Sequence, residues 1–219
     1  MDQALFHLIN QRWTSPALDL FMAALSDVQI WKPLLVVLGL YALIFCGFKG
    51  RAFVSCVVVT IAVSEVLVVS TLKSIVGRPR PKQAQTVRLV QLQKATPKIL
   101  SVWKQPRVRF SGEKDLRQPG TGSSFPSGHV TNNIVIAMFC TLFFRRWGWL
   151  YFIVAGLVGY SRVYLGAHWP SDVVATVLLA AGEALLMGAL LQRLWQWAAN
   201  RWAPEVFARH PRLIGTPVS

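Results

Sequence analysis

AFVSCVVVTIAVSEVLVVSTL (52–72) runs directly into KSIVGRPRP (73–81). The first stretch is long enough to cross a bilayer as a helix, which takes about 20 apolar residues, and Glu65 is its only ionisable side chain other than cysteine. The second opens on Lys73 and adds Arg78 and Arg80. An apolar helix that ends in fixed cations puts those cations where membrane meets water.

Four further stretches have the same apolar character, so the predicted spans are residues 30–48, 52–72, 130–144, 147–165 and 173–195. The third is the weakest, because Thr131, Asn132 and Asn133 crowd its first turn. Polar residues there suit a helix end that lines a site instead of facing lipid. Ahead of the spans, residues 2–10 and 16–25 read as short amphipathic helices at the interface. The second has Ser15 as cap and Pro16 in its first turn. No basic n-region with an apolar core and cleavage site is visible at the start, so no removable signal is expected.

Composition agrees with a membrane protein. Of 219 residues 53% are hydrophobic and only 15% charged, with 9 Trp and 12 Phe. That balance is unusual for one soluble domain. The net charge is +14, and 12 of the 23 Lys and Arg fall between Lys73 and Arg117. In an otherwise lipid-adapted chain, such a cluster points to an acidic lipid or phosphate and away from nucleic acid. Cys46, Cys56 and Cys140 lie in apolar runs without metal-type spacing and read as small buried hydrophobes. Ala155 with Gly159, and Ala184 with Gly188, repeat at the four-residue spacing that lets membrane helices approach closely.

The remaining long stretch, residues 82–125, is rich in Gln, Lys and Arg, and alternates around Arg107-Val108-Arg109-Phe110. It reads as a soluble loop on the side of the candidate site, either a hairpin or lid or a plain linker. It closes in the turn-forming run of residues 118–124. The whole chain is expected to form one domain, with residues 1–28 interfacial, 82–125 the soluble loop and 196–219 a basic tail.

Two more polar segments sit at span ends: Pro126-Ser127-Gly128-His129, and Ser161-Arg162 followed by His168 and Asp172. With five crossings, these and Lys73…Arg80-Pro81 all fall on one membrane face. The opposite face carries Lys49, Arg51, Arg145 and Arg146 in short loops, together with the basic tail. A raw count gives 15 cations on the motif face and 8 on the other. Short basic loops mark the cytoplasm. Setting aside Lys73, Arg78, Arg80 and Arg162 as site residues, and discounting the long loop, leaves the motif face outside.

In these three motifs the chain resembles the type 2 phosphatidate phosphatase superfamily, which includes lipid phosphate phosphatases and undecaprenyl-pyrophosphate phosphatases. It matches the family pattern at every fixed position between residues 73 and 172. The resemblance implies an all-α, polytopic membrane bundle of about five to six transmembrane helices. It also implies a phosphatase working through a phosphohistidine, and His168 is then the nucleophile. Physical chemistry assigns the other roles. Lys73, Arg80 and Arg162 clamp the equatorial oxygens. Ser127 and the Gly128 and His129 amides bind phosphate at a helix N-terminus. Asp172, four residues after His168, is expected to orient its imidazole directly. His129 is the general acid and then the base.

No ligand cluster calls for a metal, and no cofactor is expected. The expected function is therefore hydrolysis of a membrane lipid phosphate or lipid pyrophosphate. The alternative is phosphotransfer from a lipid pyrophosphate to a lipid A-type glycolipid. A transporter or lipid-binding protein that kept the fold, and vanadate-dependent halogenation, are the remaining readings. The expected location is a bacterial inner membrane with the site facing the periplasm. Arg78 reads either as a phosphate contact or as a headgroup-level charge. Glu65 reads either as a buffer for the cations or as a protonated hydrogen-bonding group.

Overall fold

The structure is a computed structural model that describes residues 1–112, 115 and 123–214. It is helical, with one two-stranded sheet. At the N-terminus α1 (Asp2–His7) continues through a π-helical turn (Leu8–Arg12), followed by α2 (Pro16–Ser26) and α3 (Val28–Phe45). Next, α4 (Gly47–Val63) passes through a second π-helical turn (Ser64–Val69) into α5 (Ser70–Val76), and a single turn α6 (Pro81–Ala84) follows. Strands β1 (Arg88–Gln91) and β2 (Arg107–Phe110) precede α7 (Gly128–Phe144), α8 (Tyr151–Tyr164), α9 (Pro170–Trp202) and α10 (Pro204–Arg209).

Helix starts follow local chemistry. The Ser15 hydroxyl accepts from the Leu18 amide at 3.3 Å with Pro16 behind it, and Asp27 Oδ1 accepts from the Gln29 amide at 3.0 Å. Both satisfy amides that a helix N-terminus leaves unpaired.

The central helix is α7, which packs on α4, α8 and α9. Its Val130, Val135, Ala137 and Phe139 have no exposed surface. Ala155 and Ala184 are buried at the same contacts, as their small-residue spacing predicts. By contrast α3 lies against α4 on one side, while Val36, Val37, Leu38 and Leu40 stay more than half exposed. So large an apolar face with no protein cover is a lipid-facing surface. The turn from α7 to α8 is possible because residue 148 is glycine. A Cβ there would lie 2.0 Å from the Cys140 carbonyl oxygen.

Among the described residues, three helical runs are long and apolar enough to cross a membrane: Val28–Phe45, Gly47–Ala84 and Pro170–Trp202. The predicted spans at 130–144 and 147–165 form helices of 17 and 14 residues, shorter than the others. The first is the central helix, the second keeps Ile153, Val154 and Leu157 exposed, and α8 gives way to the turn that carries His168. At the other end α9 runs to Trp202, beyond the expected 195. The tail then folds back, with the Leu213 and Ile214 amides each 2.9 Å from Gln192 Oε1. Of the three cysteines only Cys56 is buried. Cys46, at the α3–α4 turn, is exposed.

The first two helices do more than rest on an interface. Phe6, Ile9 and Met22 join Val87, Leu89, Val163, Tyr164 and Trp169 in one apolar cluster. Residues 82–112 are not a plain linker either, since β1 pairs antiparallel with β2, Arg88 opposite Phe110 and Gln91 opposite Arg107. The hairpin is clamped to the bundle. Arg88 makes a two-pronged ion pair with the buried Asp19 at 2.8 and 2.5 Å, and the Tyr164 hydroxyl donates to the same carboxylate at 2.7 Å. The buried Asn10 amide donates to the Arg88 and Tyr164 carbonyls, both at 2.8 Å. A paired, fully hydrogen-bonded charge is what makes burying Asp19 tolerable. Residues 113–114 and 116–122 of the expected soluble loop, with most of the turn-forming run, lie outside the described residues.

Candidate active site

The three sequence motifs meet at one end of the bundle. Lys73 lies in α5, Arg80 leads into α6, Ser127 precedes α7, Arg162 ends α8, and His168 and Asp172 flank the start of α9. The charges of Arg162, Lys73 and Arg80 all act on His129. Those of Arg162, Arg80 and His129 act on His168.

His168 is 3% exposed. Its Nδ1 lies 2.5 Å from the carbonyl oxygen of Ser124. A carbonyl only accepts, so Nδ1 carries the proton and Nε2 keeps its lone pair. The backbone around it is fixed as well, because the Ala167 and His168 amides both donate to the Arg162 carbonyl, at 3.0 and 3.2 Å.

Asp172 does not hold His168 directly, contrary to the expectation from its spacing. Its Oδ2 accepts from the Ser124 hydroxyl at 2.6 Å and from the Trp169 amide at 3.2 Å. Its Oδ1 accepts from Arg78 Nη1 at 2.5 Å. The Ser124 amide in turn donates to the Arg78 carbonyl at 2.7 Å. Ser124 is therefore gripped at hydroxyl and amide, and its carbonyl is aimed at the histidine. The physical reason is helical geometry. Asp172 sits in the first turn of α9, where its carboxylate turns back to cap the Trp169 amide.

Arg78 fits neither expected role. Its guanidinium bridges two carboxylates, Asp172 and Asp2, the latter at 2.7 Å from Nη2. Asp2 also accepts from the Ser171 amide at 2.9 Å and hydroxyl at 2.7 Å. Trp169 Nε1 donates to the Pro79 carbonyl at 3.0 Å, and its ring packs 5.2 Å from Phe6. Sequence reasoning missed Asp2 and Ser124 altogether. Nothing in the spacing of either pointed to the site, although Ser124 does adjoin the Phe125-Pro126-Ser127 run.

On the phosphate side, Ser127 is fully buried and its hydroxyl has no partner among the described residues. A buried donor left open costs about 1–3 kcal/mol, and a phosphate oxygen would satisfy it. The Ser127 amide is already used, donating to Thr176 Oγ1 at 3.1 Å. The first-turn amides of Gly128 and His129 are the ones left for an anion. At Gly128 a Cβ would lie 2.9 Å from Glu65 Oε1, so a side chain there would push that carboxylate aside. That carboxylate accepts from the Asn132 side chain at 3.3 Å, so Glu65 lies against the start of α7. Arg162 donates through Nη1 to the Ser26 hydroxyl, and its Nε is buried without a partner among the described residues. Beside His129 and Arg162 a cavity of about 540 Å³ opens between the α2–α3 junction and the hairpin.

Both histidines are held neutral. Burial, then the fields of Arg162 and Arg80, push His168 down to about 3, against the opposing Ser124 contact. His129, just ahead of the apolar stretch of α7, is pushed down to about 4 by burial, Arg162 and Lys73.

The chain matches the family model "PAP2 superfamily" over residues 53–197. It belongs to that superfamily. It is 32% identical over 92 residues to a lipid A 4'-phosphatase of Porphyromonas gingivalis, covering 41% of this chain and 37% of that protein. It is 29% identical over 171 residues to a lipid A 4'-phosphatase of Bacteroides thetaiotaomicron, covering 75% and 66%. It is 45% identical over 72 residues to an undecaprenyl-diphosphatase of Sulfolobus acidocaldarius, covering 32% and 35%. The matches thus span from about a third to two thirds of those relatives' lengths. In fold it resembles LpxE of Aquifex aeolicus, with a TM-score of 0.60 at 23% identity over 85% of this chain and 93% of that one. It also resembles a transmembrane PAP2-type phosphatidylglycerolphosphate phosphatase of Bacillus subtilis, with a TM-score of 0.55 at 20% identity over 87% and 86%. The PAP2 chain described here is an integral membrane helical bundle.

Two outcomes follow from this geometry. Asp172→Asn weakens the grip on Ser124, and misplacing a reacting group by about 1 Å costs about a hundredfold in rate. Its kcat should fall by that order with KM little changed; a kcat within threefold of the parent would mean that Ser124 needs no such anchor. The two histidines also set a pH dependence. Their folded pKa values lie below the ordinary 6.5, so the unfolded chain binds protons that the folded chain refuses. Their contribution to stability is complete above about 6.5 and is lost as pH falls toward 4 and 3. The Tm in detergent should drop between pH 7 and pH 4, and drop less in His168→Ala. Equal drops would show that His168 is not held neutral by the fold.

Proposed function

We propose that this protein is a membrane phosphatase that hydrolyses a lipid phosphate or lipid pyrophosphate through a phosphohistidine at His168. The observation that carries this reading is the Nδ1 contact to the Ser124 carbonyl. It leaves the Nε2 lone pair of a neutral, buried imidazole in the fields of Arg162 and Arg80.

The reaction has two displacements. In the first, the Nε2 lone pair of His168 forms a bond to phosphorus while the bond from phosphorus to the leaving oxygen breaks. His129 gives its proton to that oxygen. Lys73, Arg80 and Arg162 neutralise the equatorial oxygens as charge spreads over them, and the Gly128 and His129 amides add fixed dipoles. In the second, water attacks phosphorus, His129 takes its proton, and the bond to Nε2 breaks to release inorganic phosphate. Asp172, through Ser124, keeps the Nδ1 proton in place in both.

Among the described residues, no three His, Cys, Asp or Glu side chains gather as a metal site. The proposed reaction is metal-independent, with arginine and lysine supplying the charge that a cation otherwise brings. The relatives named above are phosphatases and a diphosphatase, which favours water over a sugar hydroxyl as acceptor. We place the site on the periplasmic side of a bacterial inner membrane. The support is the basic turns at the opposite end of the bundle, Lys49 with Arg51 and Arg145 with Arg146.

Detergent-purified protein with EDTA present should release phosphate from at least one of phosphatidate, phosphatidylglycerol phosphate, undecaprenyl pyrophosphate and lipid A, and His168→Ala should release none. Activity in the mutant would sink the nucleophile assignment. Silence across the panel unless a glycolipid acceptor is added would favour phosphotransfer. For orientation, Gln93→Cys in a cysteine-free background should react with an impermeant maleimide in intact cells, and Arg146→Cys only after lysis. The reverse pattern would turn the protein over in the membrane.

A further inference from the structure

The inward face of the helical run α4–α5 changes step at its π-helical turn. Along α4 the buried residues Ala52, Cys56 and Thr60 lead to the buried Ser64 at intervals of four, the spacing that keeps one face of a helix against its neighbours. The next buried residue is Val69, five further on. In an α-helix, at about 100° per residue, those five steps would turn Val69 about 140° away from Ser64. Both are buried here because residues 64–69 are π-helical, and i→i+5 pairing takes one more residue into the turn. Lys73 follows Val69 by four and continues the same stripe. Without the extra residue the stripe would run through 68 to Leu72, and Lys73 would stand about 100° to one side.

That step brings Lys73 round to the site only while α4 is held at the right rotation. A serine hydroxyl inside a helix commonly turns back on the carbonyl four residues earlier, as Ser70 does on Val66. Ser64 does otherwise. Its hydroxyl donates to Glu183 Oε2 on α9 at 2.9 Å. One residue on, the Glu65 carboxylate takes the Asn132 side chain of α7. At the start of its π-helical turn the run is therefore tied to two neighbouring helices.

Glu183 is a costly residue for such a contact. It lies in the apolar middle of α9, between the buried Ala180 and Ala184, and its Oε1 is buried with no partner among the described residues. An ionisable group within a membrane helix is destabilising, and an open buried acceptor adds to the cost. A leucine there would pack more favourably. What leucine lacks is direction. Apolar surfaces turn past one another with little change in contact, whereas a hydrogen bond is met at one rotation. Within a bilayer no water replaces that bond when the helix turns.

We infer that Ser64 and Glu183 are positioning residues for Lys73: their hydrogen bond fixes the rotation of α4 against α9, and the π-helical turn carries that rotation to the ammonium. This rests on the phosphatase reading above, in which Lys73 holds an equatorial oxygen, and adds to it two residues outside the three motifs. In the present arrangement the charge of Lys73 acts on His129, so a turned helix alters both the clamp and the field on the acid.

The test is a double-mutant cycle on the full-length protein in detergent. Glu183→Leu and Ser64→Ala should each lower kcat/KM about tenfold, the worth of one hydrogen bond to a charged group. Glu183→Gln keeps an acceptor for the Ser64 hydroxyl and should stay within about twofold of the parent. In a Lys73→Ala background Glu183→Leu should cost less than about twofold more, because the group it aims is gone; in an Arg162→Ala background it should cost the full tenfold. Equal costs in the two backgrounds would overturn the positioning role. A second readout needs no turnover: Lys73→Cys in a cysteine-free chain. Close to Arg80 and Arg162, that thiol should react about tenfold faster with an anionic methanethiosulfonate than with a cationic one, and adding Glu183→Leu should cut the ratio at least about threefold. An unchanged ratio would also overturn the inference. A ratio that falls in a protein releasing no phosphate from any lipid would uphold the inference and sink the phosphatase reading instead.

Discussion

The carboxylate of Asp172 is the point on which the site depends. It is 1% exposed and accepts from a guanidinium, a hydroxyl and a backbone amide that come from three parts of the chain. A buried carboxylate with fewer donors would carry a large desolvation cost, and breaking one partner from such a pair typically costs about 3–5 kcal/mol. That cost makes the arrangement specific. The loop before α6, the loop before α7 and the start of α9 come together in the one register that satisfies all three donors. The orientation and tautomer of His168 then follow through the Ser124 carbonyl.

Asp2 extends the same network to the first helix. Arg78 lies between two carboxylates, so neither it nor Asp172 is left with an uncompensated charge. The N-terminal segment thereby becomes a wall of the site instead of a float on the membrane surface. Asn10, Asp19 and Phe6 belong to the same wall, and through Arg88 they fix the hairpin that closes the far side of the cavity. The hairpin itself is short and would be marginal alone. Its stability is borrowed from the buried ion pair and from Val87 and Leu89 in the apolar cluster.

What could be read in the sequence was chemistry carried by single residues at fixed spacing. Lys73, Arg80, Ser127, His129, Arg162 and His168 meet because each sits at the end of an apolar run, and an odd number of crossings puts those ends on one face. Which group holds which was not legible. Spacing along a helix suggested that Asp172 would face His168, but a first-turn carboxylate has an amide of its own helix to cap. The partners that won lie 48 and 94 residues away, at Ser124 and Arg78. Asp19 and Asn10 were hidden for a related reason. A polar residue in a short amphipathic helix reads as solvated until tertiary contacts supply its partners. Helix lengths were overdrawn at α8, because the apolar pattern of 147–165 continues into a turn that the site needs unwound.

The low proton affinity of His129 stands against its proposed role as an acid, and the substrate resolves the conflict. Burial and the charges of Arg162, Lys73 and Arg80 oppose a further positive charge on the imidazole. A phosphate dianion settling on Lys73, Arg80 and Arg162 neutralises those fields and adds an opposite charge within reach, which raises a histidine pKa. In the proposed reaction His129 thus becomes a competent acid when a doubly charged phosphoryl group is in place. His168 lies deeper and is pinned through Nδ1, so it keeps its lone pair over the same event. In the proposed reaction one set of cations then does two jobs: with burial it holds His168 neutral, and it makes protonation of His129 conditional on the dianion itself.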